Sequence, residues 1–185
     1  MEMKLPHFRL RRRLRNLLFS VEEFHVEKIY DNHTFITFTR FIRKYPRAVL
    51  MLMVNGGWTK AQKDCAGQRY IYFAKNFANP IGLHVHLTKL DEDSIVQAYP
   101  LLPFPARDEQ FRKISYGLKF LNEIGLKTHI FVSGHWLTNN DTLEVCESLG
   151  LTEVHVKKKR LQCSHIPEGI TLKFVRNSMH DYACY

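Results

Sequence analysis

Ala48-Val49-Leu50-Met51-Leu52-Met53-Val54 is an unbroken apolar run of strand length. A strand exposed on one side would alternate apolar and polar residues. A continuous run instead suits a strand buried on both faces of a parallel sheet. Asn55-Gly56-Gly57 breaks the run. Upstream, Phe35, Phe38, Ile42 and Tyr45 recur at steps of three and four, the stripe of a helix, and Pro46 ends it. Downstream, the pattern predicts a helix from about Thr59 to Phe77, weakened by Gly67, and a strand from Ile81 to Leu87 after Pro80.

The same alternation continues outward. Leu90 to Pro105 reads as loop, with Pro100, Pro103 and Pro105. Phe111, Ile114, Leu118 and Leu121 form another helical stripe, with Gly125 as its C-cap. Thr128 to Ser133 reads as a strand. Asn140 is placed to cap a helix with Leu143, Cys146 and Leu149 inward and Gly150 closing it. Glu153 to Val156 and Thr171 to Val175 are two more strands, and Leu17 to Val21 is a short first one. This strand–helix order predicts an α/β fold with a mainly parallel sheet, open or curled into a barrel. Ligands on such folds gather beyond the C-terminal ends of the strands.

At 185 residues the chain is read as one domain, 1–185, with 1–16 a basic N-terminal arm. Hydrophobic residues at 45% and aromatics at 12% are ample for a packed core. The formal charge of +9 has local sources in Arg9, Arg11, Arg12, Arg13 and Arg15, and in Lys157, Lys158, Lys159 and Arg160. Such charge favours anionic partners or simply keeps a surface solvated. No nucleic-acid recognition element accompanies it, so nucleic acid is disfavoured as a partner. Cys65, Cys146, Cys163 and Cys184 lack C-x-x-C spacing, which disfavours a structural zinc knot or a disulfide framework. The apolar run after the basic arm is too short for a signal peptide, and no run is long enough to span a bilayer; the expected compartment is the cytoplasm.

His84 and His86 end the strand Ile81–Leu87. Residues two apart on a strand share a face, so both imidazoles can reach one metal ion. The alternative is a solvated polar face with Leu83, Val85 and Leu87 buried behind it. Trp58, and His135 with Trp136, follow the ends of two other strands, where they either line a cleft or cover a rim. His25, His33, His129, His155 and His165 fall into no motif. The chain has neither a P-loop nor a G-x-S-x-G elbow.

Ile81-Gly82-Leu83-His84-Val85-His86 resembles the second motif of the polysaccharide deacetylases, carbohydrate esterase family four and its relatives. Gly117 to Gly125 is similar to the helix that follows there. Phe131-Val132-Ser133-Gly134-His135-Trp136 resembles the third motif, and Asn139-Asn140-Asp141-Thr142-Leu143 the helix start after it. Met179-His180-Asp181-Tyr182 resembles the closing motif. The resemblance implies a distorted (β/α) barrel, which a chain of 185 residues is short to complete, and a divalent metal of the zinc type. It also implies hydrolysis of a carbon–nitrogen amide bond that releases acetyl groups from an amino sugar or a related small substrate. It makes His84 and His86 metal ligands and His180 the general acid. Phe19-Ser20-Val21-Glu22-Glu23-Phe24 stands where the first motif belongs. That assigns Glu22 to the metal and leaves Glu23 as the catalytic carboxylate, with Trp58, His135 and Trp136 toward substrate.

The chain also departs from the family. Ser20 occupies the position of the Asp base, Thr88 that of the usual second histidine ligand, and Val132 that of the arginine that orients the base. The missing carboxylate and arginine point toward a second expectation, a catalytically impaired deacetylase-like domain that binds a glycan or a protein partner.

Overall fold

The computed structural model describes residues 22–87, 104–134, 138–156, 172–175 and 178–180. Its elements, in chain order, are β1 (Glu23–Val26), α1 (Asn32–Lys44), β2 (Val49–Met53), α2 (Lys60–Asn76), β3 (Ile81–Val85), α3 (Arg107–Glu123), β4 (Ile130–Ser133), α4 (Asn140–Ser148), β5 (Thr152–Val156), β6 (Leu172–Val175) and β7 (Ser178–His180). The fold is mixed α/β. The strands form one sheet in the order β6-β5-β4-β3-β2-β1-β7, and every neighbouring pair is parallel. The first strand expected at Leu17–Val21, the basic arm and most of the Leu90–Pro105 loop lie outside the described residues.

Helix ends follow from capping chemistry. The Asp31 carboxylate accepts from the Thr34 amide at 2.8 Å, and Arg43 and Lys44 sit in the last turn of α1, where the helix dipole favours positive charge. Thr59 and Gln62 form a reciprocal capping box on α2. Gly125 follows Ile124, the C-cap of α3, and Gly150 follows Leu149, the C-cap of α4, with φ of 79° and 66°, left-handed values that favour glycine. In both, the amide one residue beyond the glycine closes the turn, Leu126 onto the Leu121 carbonyl and Leu151 onto the Cys146 carbonyl, each at 2.8 Å.

Two sequence expectations shift. The cap of α4 is Asn139, which shares a capping box with Thr142; Asn140 is the first helical residue. Phe111 is 44% exposed, and Gln110 takes the buried position beside it. The Gln110 amide donates to the Pro105 carbonyl at 2.9 Å and accepts from the Thr142 hydroxyl at 2.6 Å, so the polar group is satisfied inside.

Alternate strand residues go to opposite faces. Phe24, Val26, Leu50, Leu52, Val54, Leu83, Val85 and Phe131 pack with Phe38, Ile42, Tyr70, Phe73, Ile114, Leu121 and Cys146 from the helices, and this is the main core. The other face carries a small apolar cluster of Val49, Met51 and Val132. Between these lie Glu23, His25 and His84, all fully buried. The run Ala48–Val54 is buried from end to end, as expected for a strand covered on both sides.

Candidate metal centre

Parallel register sets the site. His25 lies beside Met51 on β2, Met51 beside Gly82 on β3, Met53 beside His84, and His84 beside Val132 on β4. Glu23, His25 and Glu27 alternate with Phe24 and Val26, so all three belong to the face opposite the helices. Glu27 follows the last residue of β1 and His86 the last residue of β3. Both stand at the C-terminal ends of the strands, where ligands collect on parallel sheets.

There the side chains converge. His84 Nε2 is 3.1 Å from His86 Nε2, and Glu27 Oε1 is 3.5 Å from the first and 3.4 Å from the second. Donors held about 2.0–2.1 Å from a tetrahedral zinc-type ion stand roughly 3.3–3.4 Å apart, so this triangle has the edge lengths of a metal face. His25, Glu27 and His84 form a group able to hold a metal ion, with donor atoms all within 4.8 Å of one another. Glu27 and His84 are common to both triads. The Glu27 side chain is 13% exposed and that of His86 21%, which puts the cluster at a mouth, with His25 and His84 beneath.

The hydrogen bonding of His84 fits a ligand. Its Nδ1 lies 3.3 Å from the Val132 carbonyl, an acceptor only, so Nδ1 carries the proton. Burial pushes the imidazole well below its ordinary value of 6.5; the neighbouring His25 and His86 push the same way, and the Glu27 carboxylate opposes them. A neutral ring with its proton on Nδ1 turns a bare Nε2 lone pair toward a carboxylate oxygen and a second imidazole. Such an electron-rich arrangement suits a cation, and a backbone carbonyl behind a histidine is a common support for a metal ligand.

Gly134, just past β4, makes room for the cluster. A Cβ there would stand 3.0 Å from His86 Cα and closer still to the ring. The loop bearing Glu27 is tied down from α2. Arg69 donates to the carbonyls of Ile29 and Asp31 and to Asn32 Oδ1, and lies over the Phe35 ring. The Tyr70 hydroxyl donates to the Met53 carbonyl at 2.6 Å and secures the end of β2.

His84 and His86 therefore meet as the H-x-H spacing suggested. Glu22 immediately precedes β1, at the end of the strand opposite the mouth, and the carboxylate that meets the histidines is Glu27. Glu23 is fully buried, with Oε1 3.1 Å from His25 Nε2. The Trp58 ring stands edge-on to Tyr30 at 6.0 Å and Phe120 at 6.5 Å, packed against the main core. His180 takes the register position beside His25 on the neighbouring strand. His135 and Trp136 lie outside the described residues. The sequence reading missed His25 and Glu27. Their signal was the alternation Glu23-x-His25-x-Glu27, the same period of two that singled out His84 and His86.

No protein-family model matches this chain, and no curated protein sequence matches it. Among the described residues, no helix is long and apolar enough to cross a membrane.

Proposed function

We propose that this chain is a metal-dependent amide hydrolase of the polysaccharide deacetylase type, acting on an acetylated amino sugar or a related small amide. The observation that carries the reading is the triangle of His84, His86 and Glu27, with edges of 3.1–3.5 Å, at the C-terminal ends of β1 and β3. Two imidazoles and one carboxylate suit zinc or a similar divalent ion with positions left for substrate.

The fold belonging to this reading is an incomplete (β/α) barrel. Residue 175 ends β6 at one edge of the sheet and residue 178 begins β7 at the other. Three Cα steps reach at most about 11 Å. A flat sheet of this order would separate the same edges by roughly 29 Å, at about 4.8 Å per strand. Complete burial of Glu23, His25 and His84 on the face away from the helices also favours a sheet curled around them.

A divalent ion at this place would supply Lewis acidity toward an amide carbonyl and make water a nucleophile near neutral pH. Glu27, His84 and His86 would hold it, and the Val132 carbonyl fixes the tautomer of His84. His180 is the candidate to protonate the leaving amine, since an imidazole titrates near neutrality and its register brings it beside His25. One observation favours the alternative of a deacetylase-like binding domain. Among the described residues, Glu27 is the carboxylate recorded in contact with both histidines at the mouth, and a group serving the ion is not also the base.

The test follows acetate release from short acetylated amino-sugar oligomers with zinc or cobalt added. Turnover is expected from the wild type and its loss from the His84→Ala/His86→Ala double variant. His180→Ala is expected to lower turnover about 10²–10⁴-fold. Equal rates in wild type and the double variant overturn the catalytic reading. Oligomer binding without turnover supports the binding domain.

A further inference from the structure

Glu23 and His25 form a second layer of ionisable groups beneath the mouth. Both are fully buried, on the same face of β1, with Glu23 Oε1 3.1 Å from His25 Nε2. The His25 and His84 rings stand 4.5 Å apart between centroids. A carboxylate taken wholly out of water is expensive unless a positive charge compensates it. Resting on the reading that this cluster holds a metal, we infer that Glu23 is a positioning residue that makes His25 a further protein donor to the ion. Glu23 accepts the Nε2–H of His25, and Nδ1 is then the ring nitrogen that serves the metal. This is the carboxylate–imidazole–metal arrangement that fixes tautomer and ring orientation and raises ligand basicity.

Among the described residues, Glu23 and Glu27 bring two carboxylates to the largely dry space around His25, His84 and His86, and a divalent cation would offset them, with one carboxylate on the ion and the other acting through His25. Glu23 and His25 lie upstream of the exposed donors on the strand, so both support the ion from behind and leave the mouth open to substrate.

The experiment titrates chelator-stripped protein with cobalt(II), reading affinity by competition with a chromophoric chelator and coordination from the visible spectrum. Glu23→Gln keeps the size and an acceptor oxygen while removing the charge. It is expected to keep the fold by circular dichroism, to bind cobalt about 10–100-fold more weakly and to shift the visible bands. His25→Ala is expected to change the band intensity as well. Wild-type affinity and unchanged bands in both variants overturn the inference and leave the ion on His84, His86 and Glu27. A wild type that takes up no cobalt overturns the metal reading itself. If His25→Ala fails to fold, copper(II) electron paramagnetic resonance on the wild type decides. Nitrogen coupling from three imidazoles is expected, and coupling from two overturns the inference.

Discussion

Gly134→Ala is the smallest change that disturbs the mouth of the site. The added methyl carbon would stand 3.0 Å from His86 Cα, a backbone atom, and closer still to the ring. Neither neighbour can accept it in place, because the His86 ring is itself held 3.1 Å from His84 Nε2 and 3.4 Å from Glu27 Oε1. His86 must leave the triangle, or β4 must move away from β3. Overpacking of this kind costs about 1–3 kcal/mol of stability. Loss of ligand geometry should weaken metal binding at least as much as loss of a supporting partner, about 10–100-fold, or about 1.4–2.8 kcal/mol. Urea denaturation of metal-free protein reads the first quantity and a zinc or cobalt titration the second. Gly67→Ala in α2 is the control. Its Cβ would meet Ile124 and Phe120 at 3.5–3.6 Å, ordinary contact, and alanine in a helix interior gains about 0.5–1 kcal/mol over glycine. That variant should be as stable as wild type or more so, with unchanged metal affinity. Gly134→Ala protein that keeps both wild-type stability and wild-type metal affinity would refute the placement of His86.

Tyr70→Phe removes the 2.6 Å hydrogen bond to the Met53 carbonyl and should destabilise by about 1–3 kcal/mol, the usual cost of stranding a buried partner; an unchanged urea midpoint would contradict the role given to Tyr70. The metal-free protein should also lose stability in acid through His84. Well above pH 6.5 the ring is neutral both folded and unfolded and contributes nothing to pH dependence. Below 6.5 the unfolded chain takes up a proton that the buried folded ring refuses, so stability falls with pH until the folded ring titrates. Denaturation between pH 7.5 and pH 5 should show this slope, and His84→Gln should flatten it; an equal slope in both would rule His84 out as its source.

Much of the architecture is legible in the sequence because local chemistry and global packing agree there. The run Ala48–Val54 announces a strand covered on both sides. Gly125 and Gly150 mark helix ends by a backbone requirement that tertiary packing does not override. Gln110 is hidden because a buried glutamine reads as surface until its partners at Pro105 and Thr142 are in place. The strand β1 is hidden for a related reason. Glu23, His25 and Glu27 break the apolar pattern of a buried strand, so the segment reads as polar and the likeness to a first motif draws attention to Glu22 and Glu23. The carboxylate at the C-terminal end of the strand, where it meets His84 and His86, is Glu27. His84 and His86 are legible because β-strand alternation alone puts both on one face. Their junction with β1 depends on the register across β2, which sequence spacing does not encode.

Elemental analysis of protein purified without chelator tests the central claim most directly. The account predicts close to one divalent metal ion per chain in the wild type, retained through gel filtration, and little or none in the His84→Ala/His86→Ala double variant. Wild-type protein without metal that takes up none on incubation with zinc, or a double variant that retains a full equivalent, would contradict it.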